Sequence, residues 1–526
     1  MQIREYLLLL IFIFQIINCS KKEISYRCGV DDTPINPIPI KNVIPMENDD
    51  RKLNDDNEFK DFNIYLDLIN IKRDIQIYHL EEYESLFIDS LNKAVETLES
   101  LLKVKKLEHA FKFYDEDLIN INIPYWNKTV IGNDSIGNTK ELGTDLFIFG
   151  RFDDNMEALT LANAGAKYID PDTKQPIVGV VNINTKVNYA KINSKEYFQS
   201  IIIHEFTHIL GFSNNYFDNY FHIIFSKTDE FGLVRYYIKS PKVIQVAKKY
   251  FDCPNIDGVE LEESGGSGTA GSHWEARILL GDYMNGVVYP EEQVISEFTL
   301  ALLEDLGYYK ANYYTGGLMR YGKHKGCDFV KNRCVDSNHE INPNFENEFY
   351  DSIYSPDLSD ASCTSGRQSR TYHAWWIYDN LPYYYKYFQN ERYGGFSPAD
   401  YCPVARELSS ENENSYYTGH CSSLGNGGYG TRIIYREIET IENDTHIMTQ
   451  TNRKYYTSEL LSSITGETYS DHSFCYQSCL IRNDLEFSSE VIRAICYESF
   501  CSDKSLTIKI NNDYFLCPRK GGKIEV

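Results

Sequence analysis

The apolar positions of this chain change period several times, and each change marks a different kind of segment. Residues 6–14 form an unbroken apolar run behind the basic Arg4. A bilayer span needs roughly 20 such residues, so residues 1–19 are expected to be a signal peptide, cleaved near Cys19 or Ser20. Residues 20–58 are polar, with Pro34, Pro37, Pro39 and Pro45 ahead of the charged run Glu47-Asn-Asp-Asp-Arg-Lys. This is not core material; it reads as a pro-segment or flexible leader, with Arg51-Lys52 as a candidate processing site.

Folded character begins at Phe62-Asn-Ile-Tyr-Leu-Asp-Leu-Ile, whose alternation predicts a strand. Tyr83, Phe87, Leu91, Ala94, Leu98 and Leu102 then share one face of a helix over residues 81–102. Apolar stretches at residues 118–123, 146–149 and 178–183 predict further strands. A second amphipathic helix follows at once, with Ile202, Phe206, Ile209 and Leu210 at i, i+4, i+7 and i+8. Asn193 with Glu196 is its capping signature, and Gly211 tolerates the left-handed stop at its end. Strands with two long helices predict an α+β unit whose sheet stands above a cleft. Phe298, Leu302, Leu303 and Leu306 mark another helix, ended by Gly307. Beyond about residue 320 the elements shorten, cysteines crowd, and aromatic residues cluster between Trp375 and Tyr385, which we read as core and scaffold.

Composition narrows the class of protein. At 526 residues the chain can bury two or three sizeable cores. Its net charge of −24 argues against a nucleic-acid partner, whose phosphates it would repel. Of thirteen cysteines, Cys19 falls at the edge of the signal peptide; the even count of twelve behind it reads as a disulfide framework in an exported protein. The sequons at Asn127, Asn133 and Asn443 agree, marking a glycoprotein. No later apolar run is long enough to span a membrane, and the C-terminal residues are polar. A secreted protein without stable membrane insertion after signal removal is therefore expected.

The candidate chemistry lies on the second helix, in His204-Glu-Phe-Thr-His208 followed by Gly211. Histidines four apart stand about one turn apart on one helix face, so both imidazoles can reach one zinc ion. Glu205 sits beside His204, where a carboxylate can act as general base toward a water on that metal. A catalytic zinc takes three protein ligands and keeps one open position. Three sources of the third remain open: a downstream Glu, His222 or His273. A glycine run, Ser264-Gly-Gly-Ser-Gly-Thr-Ala-Gly-Ser, precedes His273 and would let the backbone fold back to the metal. Met284 follows in a turn-like setting, Gly281-Asp-Tyr-Met-Asn-Gly.

These residues resemble the leishmanolysin (M8) family of metzincin zinc peptidases. The likeness rests on the His204 motif, an insertion of about sixty residues, then Gly-Gly-Ser-Gly-Thr-Ala-Gly-Ser-His273 and Met284. It extends through Thr299-Leu-Ala-Leu-Leu-Glu-Asp-Leu-Gly, Gly326-Cys327 with Cys334, and Asp400-Tyr-Cys-Pro-Val. In the common metzincin pattern the third His falls ten residues after the first, where this chain has Asn214. The resemblance raises His273 above His222. It implies a zincin-like catalytic domain with an inserted subdomain and a disulfide-rich, largely β C-terminal domain. It also implies one catalytic zinc on His204, His208 and His273, Glu205 as general base, and Met284 as a structural Met-turn residue. The first disulfide it suggests is Cys253 with Cys327.

The implied reaction is endopeptidase hydrolysis of protein and peptide substrates through a zinc-bound water. In the family a leader cysteine between histidines plugs the zinc of the zymogen. Here Cys28 stands in Tyr26-Arg-Cys-Gly-Val-Asp, without those histidines, so Cys28 as a latent-form ligand competes with Cys28 in a disulfide. The expected divisions are 1–19 signal peptide, 20–58 leader, 59–212 N-terminal catalytic part, 213–315 insertion with third ligand and Met-turn, and 316–526 cysteine-rich domain. The rival reading is a non-catalytic adhesion protein, secreted or at the cell surface, on the same scaffold. Retention of Glu205 and all three histidines argues for the enzyme.

Overall fold

The computed structural model describes residues 37–40, 43–45 and 58–517, except 108, 112, 128–143, 158–159, 193–194, 230–231, 265–268, 288–292, 314–318, 337, 346–347, 350–362, 370, 374–375, 389, 408, 413–414, 419–420, 423–431, 444–445, 457–465, 471, 481–490 and 503–504. The expected signal peptide, Cys28, Arg51-Lys52, the Asn193 cap, Asn133, Trp375 and residues 265–268 of the glycine run lie outside the described residues.

A five-stranded sheet is built from β1 (Ile38–Pro39), β2 (Ile64–Asp67), β3 (Leu146–Asp153), β4 (Ala162–Ile169) and β5 (Pro176–Asn184), in the order β1-β4-β5-β3-β2. Only the β4–β5 pairing is antiparallel. Every residue of β5 is buried, as expected of a strand covered on both faces. The period of two then sorts side chains between two cores. Leu146, Ile148, Val181 and Ile183 join the main core. Phe147, Phe149, Val178 and Val180 join a smaller one with Ile40, Phe113 and Leu118.

The helices are α1 (Ile69–Ile77), α2 (Glu84–Leu101), α3 (Asp115–Asn120) and α4 (Lys195–Ile209). The face predicted for α2 is the buried one, with Phe87, Leu91, Ala94 and Leu98 inside. Helix α4 packs beside α2 and against β4 and β5. Its last turn presses on Gly179 of β5, where an added methyl group would collide with the Ile209 side chain. Gly179→Ala is therefore expected to cost about 1–3 kcal/mol, the range for overpacking a filled core. A denaturant midpoint indistinguishable from the parent would show that this contact yields freely.

Two expectations need correction, and one strand was not anticipated. Residues 118–123 were expected to form a strand, but α3 and a turn occupy them. The cause is local: the Asp117 carboxylate accepts the Tyr114 N–H at 2.8 Å, and Asp115 and Glu116 favour the helix start. Strand β4, rich in Ala and Gly, has no strand signal of its own and is held by its ladder to β5. The leader is also not wholly free of the fold. β1 pairs with β4, Val43–Pro45 pairs with His109–Phe111, and Ile40 is buried.

Beyond α4, a second sheet joins β6 (Ile224–Thr228), β7 (Val234–Ile238) and β8 (Val259–Glu260). Helices α5 (Pro241–Phe251), α6 (Ala276–Leu279) and α7 (Glu297–Asp305) complete this part. Among the described residues four disulfides are formed: Cys253–Cys327, as the resemblance implied, Cys334–Cys402, Cys363–Cys475 and Cys421–Cys496. The C-terminal part is largely β, with a long hairpin of strands Arg432–Asn443 and His446–Tyr456 and a four-stranded antiparallel sheet within residues 473–516. In the aromatic block Tyr385 and Tyr387 are buried, whereas Tyr383 is exposed. Among the described residues no helix is long and apolar enough to cross a membrane.

Candidate metal centre

Helix α4 carries His204, Glu205 and His208 into the interior, and each is about 1% exposed. Gly211, at φ +112°, turns the chain out of the helix in a conformation that favours glycine. His273 arrives from the far side of the insertion, on a segment held by backbone hydrogen bonds from two directions. Towards β8, the Glu262 N–H donates to the His273 carbonyl at 2.9 Å and the Glu275 N–H to the Glu260 carbonyl at 3.1 Å. Towards the Met284 turn, the Trp274 N–H donates to the Met284 carbonyl at 2.8 Å. The Trp274 indole N–H donates to Thr299 at 3.0 Å, and the Thr299 hydroxyl donates to Asp282 in that same turn. Met284 and Trp274 are fully buried.

This framework brings three imidazoles together. Nε2 of His208 lies 3.0 Å from Nε2 of His204, which lies 3.3 Å from Nε2 of His273. Zinc–nitrogen bonds of about 2.0–2.1 Å in a tetrahedron require nitrogens about 3.3 Å apart, so the donor set fits one zinc ion. Each Nδ1 faces a backbone carbonyl: that of Tyr283 for His204, of Phe212 for His208 at 2.5 Å, and of Thr269 for His273 at 2.8 Å. Donation from Nδ1–H to those carbonyls leaves every Nε2 lone pair aimed at the common point. Burial keeps the rings neutral, as ligation needs: it lowers His204 to about 4 and His273 to about 3, and drives His208 well below its usual value.

Of the three candidates for the third position, His273 joins the cluster; His222 is exposed and outside it, and among the described residues no Glu belongs to it. Asn214 is still close by, because its backbone N–H donates to the Ser272 hydroxyl at 3.1 Å. The backbone at that position thus supports the loop that delivers His273.

One group escaped the sequence reading. Glu260, Glu275 and Asp400 place carboxylate oxygens within 4.8 Å of one another, deep inside the protein. Two guanidinium groups occupy this space. Arg235 Nη1 reaches Glu260 at 2.5 Å and Asp400 at 2.8 Å, and Arg277 reaches Glu260 at 2.5 Å and Asp400 at 3.1 Å. Glu260 and Asp400 are therefore partners of arginines, while Glu275 accepts the Arg277 backbone N–H and is pushed by burial towards its neutral form. Only Asp400-Tyr-Cys-Pro hinted at the cluster in sequence, and no spacing links residue 400 to residue 260.

The family model described as leishmanolysin matches residues 86–526. A leishmanolysin homolog of Crithidia fasciculata is 33% identical over 238 residues, covering 44% of this chain and 34% of that protein. A leishmanolysin-like peptidase of Drosophila pseudoobscura pseudoobscura is 36% identical over 206 residues, covering 36% of this chain and 29% of the relative. Leishmanolysin of Leishmania tropica is 30% identical over 237 residues, covering 44% of this chain and 34% of that protein. The matched stretch thus spans about a third of the length of these curated relatives.

Proposed function

Because this chain belongs to the leishmanolysin family of peptidases, we propose that it is an exported zinc endopeptidase that hydrolyses peptide bonds in proteins. The observation that carries the reading is the convergence of three buried Nε2 atoms, two of them from the helix that also carries Glu205. His204, His208 and His273 would hold the zinc, with Met284 as the structural residue of a metzincin-like turn. When bound, zinc polarises the scissile carbonyl and acidifies a water. Glu205 takes the proton of the attacking water and hands it to the leaving amine as the carbon–nitrogen bond breaks. The helix and the Nδ1–carbonyl bonds hold the rings so that no reorganisation is needed during turnover.

The leader supports a latent state in this reading. β1 runs along the outer edge of β4 in parallel register, Ile38 beside Tyr168 and Pro39 beside Ile169. An extended substrate that adds a strand to that edge must displace it, and Cys28 lies ten residues upstream of β1 in sequence. Four disulfides accord with an extracellular setting, in solution or at a cell surface.

The test is zinc content by elemental analysis on protein exported with its own signal sequence, paired with cleavage of an unfolded protein with and without chelator. About one zinc per chain and chelator-sensitive cleavage are expected. Zinc without cleavage would indicate the latent form, and Cys28→Ala should then release activity. Folded protein with neither zinc nor cleavage would refute the proposal and favour the adhesion reading.

A further inference from the structure

We infer that Asp400, more than a hundred residues downstream of the metal motif, is a positioning residue for the third ligand, His273. The inference rests on the zinc reading of the three histidines. Asp400 is 3% exposed and spends both oxygens: Oδ1 accepts the Tyr385 hydroxyl at 2.7 Å, and Oδ2 accepts Arg235 at 2.8 Å and Arg277 at 3.1 Å. Burial opposes its charge, but the two guanidinium groups outweigh burial and hold its carboxyl below the ordinary range.

Through the arginines Asp400 reaches the metal segment by two routes. Both guanidinium groups bind the Glu260 carboxylate, one on each oxygen, and the Glu260 carbonyl accepts the N–H of Glu275, two residues beyond His273. Arg277 also lies in the first turn of α6, where its own N–H donates to the Glu275 side chain at 2.8 Å. Removing the Asp400 charge leaves two buried cations facing one fewer anion, so both must shift. The displacement falls on Glu260 and Glu275, hence on the backbone ladder that aims His273.

The other end of the lever is fixed. Asp400 and Tyr401 have φ of +56° and +57°, conformations L-residues adopt only when their surroundings impose them. Cys402, immediately after them, is bonded to Cys334. Arg277 Nη1 also donates to the Asn332 carbonyl at 3.3 Å, near the other half of that disulfide. The cysteine-rich part of the chain therefore acts as a bracket for the zinc site, and not only as an appendage to it.

The experiment uses the full-length exported protein loaded with zinc. Asp400→Asn should release zinc to a chelator about tenfold faster, within the range expected when a partner that orients a ligand is lost. It should also change the visible absorption of the cobalt-substituted protein, which reports ligand geometry and which a purely structural role would leave alone. Tyr385→Phe, a milder change, should move both readouts less and in the same direction. Glu391→Gln, which breaks an exposed pair with Lys386 in the same part of the chain, should move neither. If Asp400→Asn folds with the Cys334–Cys402 bond intact yet keeps the parental zinc-release rate and cobalt spectrum, the inference is wrong. If it does not fold, Tyr385→Phe decides by the same two readouts. Parental protein that takes up no zinc would refute the zinc reading itself, whereas zinc uptake without cleavage leaves this inference standing.

Discussion

Glu205→Ala is expected to lose turnover by a factor of about 10²–10⁴, the usual contribution of a positioned acid–base group, while its zinc content stays at the parental level. The two effects separate because the carboxylate and the imidazoles have different tasks. His204 and His208 are oriented by the carbonyls of Tyr283 and Phe212, and these bonds do not involve Glu205. Deleting the carboxylate therefore leaves the nitrogen donors in place and removes the group proposed to accept the water proton. Glu205→Gln, close to isosteric, distinguishes lost proton transfer from a packing fault at this buried position. Zinc per chain and kcat/KM on an unfolded protein substrate are the measurements. Cleavage by the alanine variant at the parental rate would remove Glu205 from the mechanism.

The second large effect is expected at His273. His273→Ala leaves only two imidazoles at a site that needs three protein ligands. Zinc content should fall from about one per chain to a small fraction, and cleavage should fall with it. The comparison variant is His222→Ala, at the exposed histidine that sequence reading could not dismiss. It should keep both zinc and activity. Retention of stoichiometric zinc by His273→Ala, or its loss in His222→Ala, would assign the third ligand elsewhere. The control matters because His273 is fully buried and its removal also opens a small cavity. A thermal scan on metal-free protein separates that cost from the loss of zinc.

Much of the catalytic half was legible because its signals are local. The face of α2 follows from a period of 3.6, and the apolar runs of β3 and β5 follow from burial on both faces. Where local signals competed, the reading failed. Leu118 and Ile121 have the apolarity of a strand, but the acids ahead of them cap a helix. The alanines and glycine of β4 carry almost no strand preference, and only β5 alongside makes a strand of them. The polar, proline-rich leader concealed β1 for the same reason: a short edge strand needs a neighbour's carbonyls more than its own propensity.

The same division runs through the site. From its sequence alone the chain determined that His204 and His208 share a helix face with Glu205 beside them, since a helix turn sets that spacing whatever surrounds it. It also determined that Gly211 ends the helix, because few other residues accept that backbone conformation. The third imidazole is different. Local spacing left a downstream Glu, His222 and His273 open, and only the family resemblance favoured His273; what brings its ring to the other two is the set of hydrogen bonds that hold residues 273–275 between β8 and the Met284 turn. The buried meeting of Asp400 with Arg235, Arg277 and Glu260 is further still from any local signal. Contacts between residues so far apart in the chain follow no period. They exist only where the whole fold has closed around charges that must be paired once water is excluded.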